Sequence, residues 1–190
     1  KKVLILVPAS LVSQWAYELN SKFFIPAVVQ RKSYVWESCD VIVSSIDTAK
    51  RSPHREIIFD QHYDFIIVDE AQFLAPKQVD ELYYITKEYD VPVLCYGLRC
   101  DFQMKGFPGA SRLLEIADEI EEIKTICKCG QKATQNLRKV NNIPVFKGDQ
   151  VVIDGANKNV SYESVCGKCY LELKNKYCKN LKIIEKVVLL

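Results

Sequence analysis

Residues 65–74 read FIIVDEAQFL. Four apolar positions, Phe65 to Val68, run directly into the acid pair Asp69-Glu70, and Ala71, Gln72 and two more apolar residues follow. An apolar run this short and this rich in β-branched residues reads as a strand covered on both faces. Residues 3–7 (VLILV), 41–45 (VIVSS) and 91–96 (VPVLCY) have the same character. Helix-period segments lie between them. Ser10 can N-cap a helix through Leu11, Trp15 and Leu19, and Pro76 can open another through Val79, Leu82 and Ile85. A third helix is expected from Ala110 to about Ile120. Strands alternating with helices predict βαβ units and a doubly wound parallel sheet, an α/β fold.

At 190 residues the chain can bury one substantial core, or a core plus a small satellite module. Its 26 Lys and Arg against 24 Asp and Glu leave a net charge of +2, too little to draw it to nucleic acid or an anionic membrane. A hydrophobic content of 48% belongs to a folded chain rather than a disordered one. No apolar run approaches the ~20 residues that cross a bilayer, so no membrane partner is expected. The opening KKVLILVPAS has too short an apolar run before Pro8 for a secretory leader, and reads as a strand. Eight cysteines, four of them in two close pairs, favour a reduced compartment over a disulfide framework, with the cytoplasm as the expected location.

An acid at the C-terminal end of a buried strand points into the crevice where α/β sheets bind ligands. In nucleotide hydrolases and kinases the first acid of such a pair holds Mg²⁺, commonly through water, and the second takes a proton from the attacking group. The pair does not say whether that group is water or a substrate hydroxyl. Two exposed acids opening a loop is the plainer alternative. The phosphate loop GxxxxGK[ST] that accompanies such sites is absent, and all seven glycines lie at or after Gly97. Without that cradle the β- and γ-phosphates lack their backbone donors and their lysine, so impaired activity is expected of this polypeptide.

After Ile123 the character changes to close cysteine pairs and turns such as Cys129-Gly130 and Asp154-Gly155, which mark a separate small module. Cys127-Lys128-Cys129 and Cys166-Gly167-Lys168-Cys169 form CxC and CxxC pairs. Four thiolates so spaced can close a tetrahedral zinc site, and a closed shell makes the role structural. Such binding contributes on the order of 10 kcal/mol to folding. Unrelated free thiols are the alternative.

From Val68 to about Leu171, the segments VDEAQFL, PVLCYGLRCDF, IKTICKCGQKA, QVVIDGA and YESVCGKCY resemble the type II thymidine kinases. The resemblance implies a RecA-like parallel sheet flanked by helices, followed by a small zinc-ribbon module with a loop that clamps the nucleoside. It implies ATP-dependent phosphorylation of the thymidine 5′-hydroxyl, with Mg²⁺ and structural Zn²⁺ as cofactors and thymidine and ATP as partners. It makes Asp69 the Mg²⁺-site acid and Glu70 the base. It places Gln72 in the same motif and Phe73, Leu98, Phe102 and Phe107 around the thymine. In the clamping loop, Val152 would offer backbone hydrogen bonds and Tyr162 would close over the sugar and ring. Cys127, Cys129, Cys166 and Cys169 match the zinc ligands, and a homo-oligomer is the family's usual state. Two stretches depart from the family pattern, QMKGF at 103–107 and NKNVSY before the tyrosine.

From Lys1 to about Ala71 the chain is similar to something else, the first RecA-like lobe of Swi/Snf-type superfamily-two helicases. VLILVPASLVSQWAYEL, CDVIVSSIDTAKR and DFIIVDEA carry that likeness, with Ser10, Ser44 and Ser45 near a nucleic-acid phosphate track. Nucleic acid is a partner only on this reading. Such helicases have histidine where this chain has Gln72. The organisation expected is therefore a RecA-like α/β domain over 1–124, helicase-like over 1–70 and kinase-like over 68–124. A zinc-binding module over 125–172 and a tail over 173–190 would follow. Both families place Asp-Glu after the same kind of strand, and the chain reads as a chimera joined near Asp69.

Overall fold

A computed structural model describes residues 1–151 and 159–187, with side chains as far as residue 178. Two compact units emerge, Lys1–Leu98 with Pro108–Ala117, and Arg99–Phe107 with Asp118–Leu190.

The first unit is built on a five-stranded parallel sheet. Its strands are β1 (Val3–Val7), β2 (Ala27–Val29), β3 (Val41–Ser45), β4 (Phe65–Val68) and β5 (Val93–Cys95), ordered β2-β3-β1-β4-β5. Val3 pairs with both Val41 and Phe65, and Ile66 pairs with Val93. Because successive strand residues face opposite sides, the apolar runs feed two cores. Leu4, Ile42, Ile66 and Val68 enter one, with Val35 and Trp36 of α2 (Val35–Ser38), Ala49 of α3 (Ile46–Ala49) and Val79 of α5 (Pro76–Glu88). Ile5, Val7 and Val43 enter the other, with Ala16 of α1 (Val12–Lys22). Both faces are covered by helices, as the continuous apolar runs predict. The short helix α4 (His54–Phe59) and α6 (Pro108–Ile116) complete the unit.

Three local expectations are corrected. Ser10 caps nothing: Leu11 N–H donates to the Pro8 carbonyl at 2.9 Å in a 3-10 turn, and α1 starts at Val12 with no side-chain cap. Helix α6 opens at Pro108, where proline's fixed φ suits a first helical position, and not at Ala110. It stops at Ile116, because Asp118 to Glu122 supply acids around an Ile120 that is 62% exposed, and no apolar face remains to bury. The edge strand β2 has only three residues and no sequence reading foresaw it. Asn20 ties it to α1, donating to the carbonyls of Ala16 and Ala27 at 2.8 Å each. Helix α5 begins as expected at Pro76, with the Gln78 side chain accepting from Ala75 N–H at 2.8 Å.

The second unit has two small antiparallel sheets. Strands β6 (Thr125–Ile126) and β7 (Lys132–Ala133) form a hairpin. Strand β8 (Gln135–Val140) lies between β9 (Ile143–Val145) and β10 (Val160–Val165). Leu137, Phe146, Val165 and Tyr170 pack with Cys127 and Cys166 into its core. Tyr170, fully buried, donates its hydroxyl to the Phe102 carbonyl at 2.6 Å and so anchors the 99–107 loop to helix α7 (Gly167–Val187). That helix runs unbroken past position 173.

One close approach holds α6 against the turn after β4. A β-carbon on Gly109 would lie 2.4 Å from the Leu74 carbonyl oxygen and 3.0 Å from those of Ala71 and Gln72, all backbone atoms. Only glycine lets α6 settle on that turn. Gly109→Ala is expected to destabilise the protein by about 1–3 kcal/mol, read from its urea midpoint.

Candidate active site and metal centre

Asp69 continues the path of β4, its N–H donating to the Leu6 carbonyl at 2.9 Å. Its carboxylate is held at both ends. Oδ1 accepts from Glu70 N–H at 2.9 Å, and Oδ2 accepts from the Trp15 indole Nε1–H at 2.9 Å. Glu70 then takes a left-handed backbone conformation, φ 53°. That geometry costs a residue with a β-carbon on the order of 1 kcal/mol and persists only where the surroundings impose it.

Gln72 is the agent that imposes it. Only 2% exposed, it donates from Nε2 to Glu70 Oε2 and accepts from Leu98 N–H at Oε1, 3.0 Å away. The chain leaving β5 must come close for this, and Gly97 permits it: a β-carbon there would sit 2.5 Å from Gln72 Oε1. Ala71 N–H also donates to the Tyr96 carbonyl at 2.8 Å. Asp69, Glu70, Gln72 and Leu98 are thus brought together by one network at the end of the sheet. Phe73 and Leu98 hold apolar surface beside it, 50% and 44% exposed. The sequence reading did not anticipate the parts played by Trp15 and Gly97. A tryptophan on a helical stripe reads as core, and only the need of a half-buried indole N–H for an acceptor hints otherwise.

The remaining nucleoside-site candidates belong to the second unit. Phe102 and Phe107 are buried, whereas Tyr162 on β10 is 56% exposed. Arg138 joins two of them: its Nε–H donates to the Tyr162 hydroxyl at 2.9 Å, and its guanidinium lies 3.6 Å from the Phe102 ring centre. Arg138 was also missed, since a single arginine in a polar strand carries no signal by itself. Val152 lies outside the described residues.

The four paired cysteines converge in the second unit. Their sulfurs all lie within 4.8 Å of one another, with Cys129 and Cys166 at 3.6 Å. A tetrahedron with Zn–S near ~2.3 Å has edges of about 3.8 Å, so the set has the right size for zinc. Cys127 N–H donates to the Gln131 carbonyl and Gly130 N–H to the Cys127 carbonyl, both at 2.8 Å, with Gly130 at φ +83°. That turn folds the first pair back on itself, and Cys169 N–H donates to Cys166 Sγ at 3.4 Å in the second. Backbone donors from Cys129 and Cys166 pull the Cys127 thiol below its usual range, while hydrogen bonding with Cys129 and Cys166 pushes Cys169 upward. Four convergent sulfur ligands suit a soft or borderline cation. All four are free of disulfides.

Replacing Gln72 with leucine would strand the Leu98 N–H without its acceptor and release Glu70. A loss of about 1–3 kcal/mol is expected on urea denaturation. A hydrogen-exchange measurement should show faster exchange at Leu98.

The thymidine kinase family model matches residues 15–170. A thymidine kinase of Shewanella oneidensis is 43% identical over 145 residues, covering 76% of this chain and 70% of that protein. One from Chromobacterium violaceum is 43% identical over 123 residues, covering 59% of this chain and 65% of that protein. An uncharacterized ATP-dependent helicase of Bacillus subtilis is 72% identical over 136 residues, which is 72% of this chain but 22% of that protein. The chain therefore spans well under the full length of each of these relatives. Its match to the family model nevertheless runs through the strand, the acid pair and all four clustered cysteines, and the chain belongs to the thymidine kinase family.

Proposed function

We propose that this chain carries the site of a thymidine kinase, transferring the γ-phosphoryl group of ATP to the 5′-hydroxyl of thymidine in nucleotide salvage. The observation that supports it most is the Asp69-Glu70 pair held rigid by Gln72 and Trp15 within a chain of this family. In this reading the sheet is RecA-like and the second unit is a zinc ribbon with its nucleoside-clamping loop. Glu70 accepts the 5′-hydroxyl proton as the oxygen bonds to the γ-phosphorus and the bond to the β-phosphate oxygen breaks, leaving ADP. Gln72 presents the Glu70 carboxylate in one orientation, so less is lost in ordering it during the reaction. Magnesium bound with ATP supplies charge neutralisation on the phosphoryl oxygens. Asp69 would hold it: each of its oxygens accepts one hydrogen bond here and keeps a lone-pair direction for a metal-bound water. Phe73, Leu98, Phe102 and Phe107 wall the thymine, and Val152 and Tyr162 belong to its cover. The four cysteines would hold Zn²⁺, a closed thiolate shell that would tie β6 and β7 to the start of α7. Location in the cytoplasm fits free thiols, and no described helix is long and apolar enough to cross a membrane. Turnover by residues 1–190 alone is low in this reading, because they contain no GxxxxGK[ST] loop.

A second reading, a nucleic-acid-dependent ATPase, draws on the helicase-named relative and on a chimeric origin. Its 136-residue alignment is longer than the 71 residues whose motifs look helicase-like. Against it, Ser44 is 1% exposed, and Ser45 Oγ is committed to capping α3 through Thr48 N–H at 3.0 Å. Neither serine is presented to a phosphate track. DNA-stimulated ATP hydrolysis without thymidine phosphorylation would select this second reading.

Radiolabelled thymidine should be converted to its 5′-monophosphate in an ATP- and Mg²⁺-dependent reaction. Glu70→Gln should lower that rate by about 10²–10⁴-fold while retaining thymidine binding; no turnover by the parent at high enzyme concentration would refute the kinase assignment. Elemental analysis should find one zinc per chain. Cys166→Ser should lose that zinc and melt the second unit while circular dichroism of the parallel sheet persists.

A further inference from the structure

Arg138 is 3% exposed, yet among the described residues it has no carboxylate partner. Glu163, the acid on the paired strand β10, is taken by Lys128 at 2.6 Å and by Lys139. Burying a guanidinium without a counter-charge is costly, and a leucine or methionine would fill the volume of a purely structural position more cheaply. What the arginine adds is a planar fork with donors in fixed directions. Nε–H donates to the Tyr162 hydroxyl at 2.9 Å, Nη1 to the Asp149 carbonyl at 2.7 Å and Nη2 to the Gln150 carbonyl at 2.8 Å. The flat face of the same group stacks on Phe102, 3.6 Å from the ring centre.

Three separate stretches of chain therefore meet on one side chain: the 99–107 loop, the backbone at 149–150 and strand β10. Other bonds join the same stretches more loosely. Gln103 donates to the Gly148 carbonyl, Asn136 to the Cys100 carbonyl at 3.1 Å, and Gln150 to the Gly106 carbonyl at 3.4 Å. None of these touches an aromatic ring. Among the described residues, only Arg138 meets at once the face of Phe102 and the hydroxyl of Tyr162, which is otherwise half in solvent.

We propose that Arg138 is the positioning residue of the nucleoside subsite, setting the spacing between Phe102 and Tyr162 and so the affinity for the thymine ring and its sugar. This rests on the thymidine kinase reading above. Arg138 acts through those two residues and does not handle phosphate, so its loss weakens nucleoside binding and leaves ATP binding and the chemical step nearly untouched. Lysine cannot replace it, since one ammonium neither spans three acceptors nor stacks flat on a ring.

The test compares the parent with Arg138→Lys, Arg138→Met and Tyr162→Phe, using isothermal titration with thymidine and steady-state kinetics. Zinc content and thermal midpoint serve as the check on folding. Expected are a tenfold or greater rise in the thymidine KM and Kd for both Arg138 variants and a smaller rise for Tyr162→Phe. The ATP KM and kcat should stay within about twofold of the parent. Should Arg138→Met fail to fold, Arg138→Lys and Tyr162→Phe still decide the matter. Parent-like thymidine affinity in the folded variants, or a fall in kcat with KM unchanged, overturns the positioning role and leaves the kinase reading standing. Absence of thymidine binding by the parent itself overturns both.

Discussion

The first unit turns on the side chain of Gln72. It is buried and uses both ends, receiving the Leu98 N–H and donating to the Glu70 carboxylate. Two demands meet there. The chain after β5 must pass close enough to be captured, which Gly97 allows, and the turn after β4 must enter a left-handed conformation, which Glu70 adopts. Gly109 then lets α6 close over the same turn. An acid pair at the end of a strand is a common device; here one amide and one indole hold its carboxylates, and two glycines let the neighbouring chain close on the turn.

The parallel sheet was readable because its strands are continuous apolar runs, and a strand buried on both faces has few other ways to look. Pro76 likewise announced α5, since proline suits the first turn of a helix and little else within one. The zinc-sized cluster was readable from spacing, because few reasons other than a metal place CxC and CxxC pairs in one small module. What escaped was governed by contacts between distant residues. Trp15 looks like any residue on a helical stripe until its indole meets Asp69, 54 positions away. Arg138 looks like a surface charge until Phe102, Asp149, Gln150 and Tyr162 surround it. Ser10 misled for the opposite reason, because a good capping residue is no guarantee of a cap when a tighter turn takes the bonds first.

The second unit solves a different physical problem. Its core of Leu137, Phe146, Val165 and Tyr170 is small, and two further buried members, Cys127 and Cys166, belong to the four-sulfur cluster. Apolar burial and the gathering of the four sulfurs are therefore not separate matters in it. The same residues serve both, with Tyr170 reaching beyond the cluster to hold the Phe102 carbonyl.

The left-handed backbone at Glu70 has an evolutionary consequence. Glycine there would relieve the strain, and asparagine would tolerate it better, so selection for stability alone would move the position towards those residues. A copy of this gene selected only for stability should shed the carboxylate at 70 early and become sturdier in doing so. The glutamate marks a place where conformational comfort has been surrendered to keep a carboxylate.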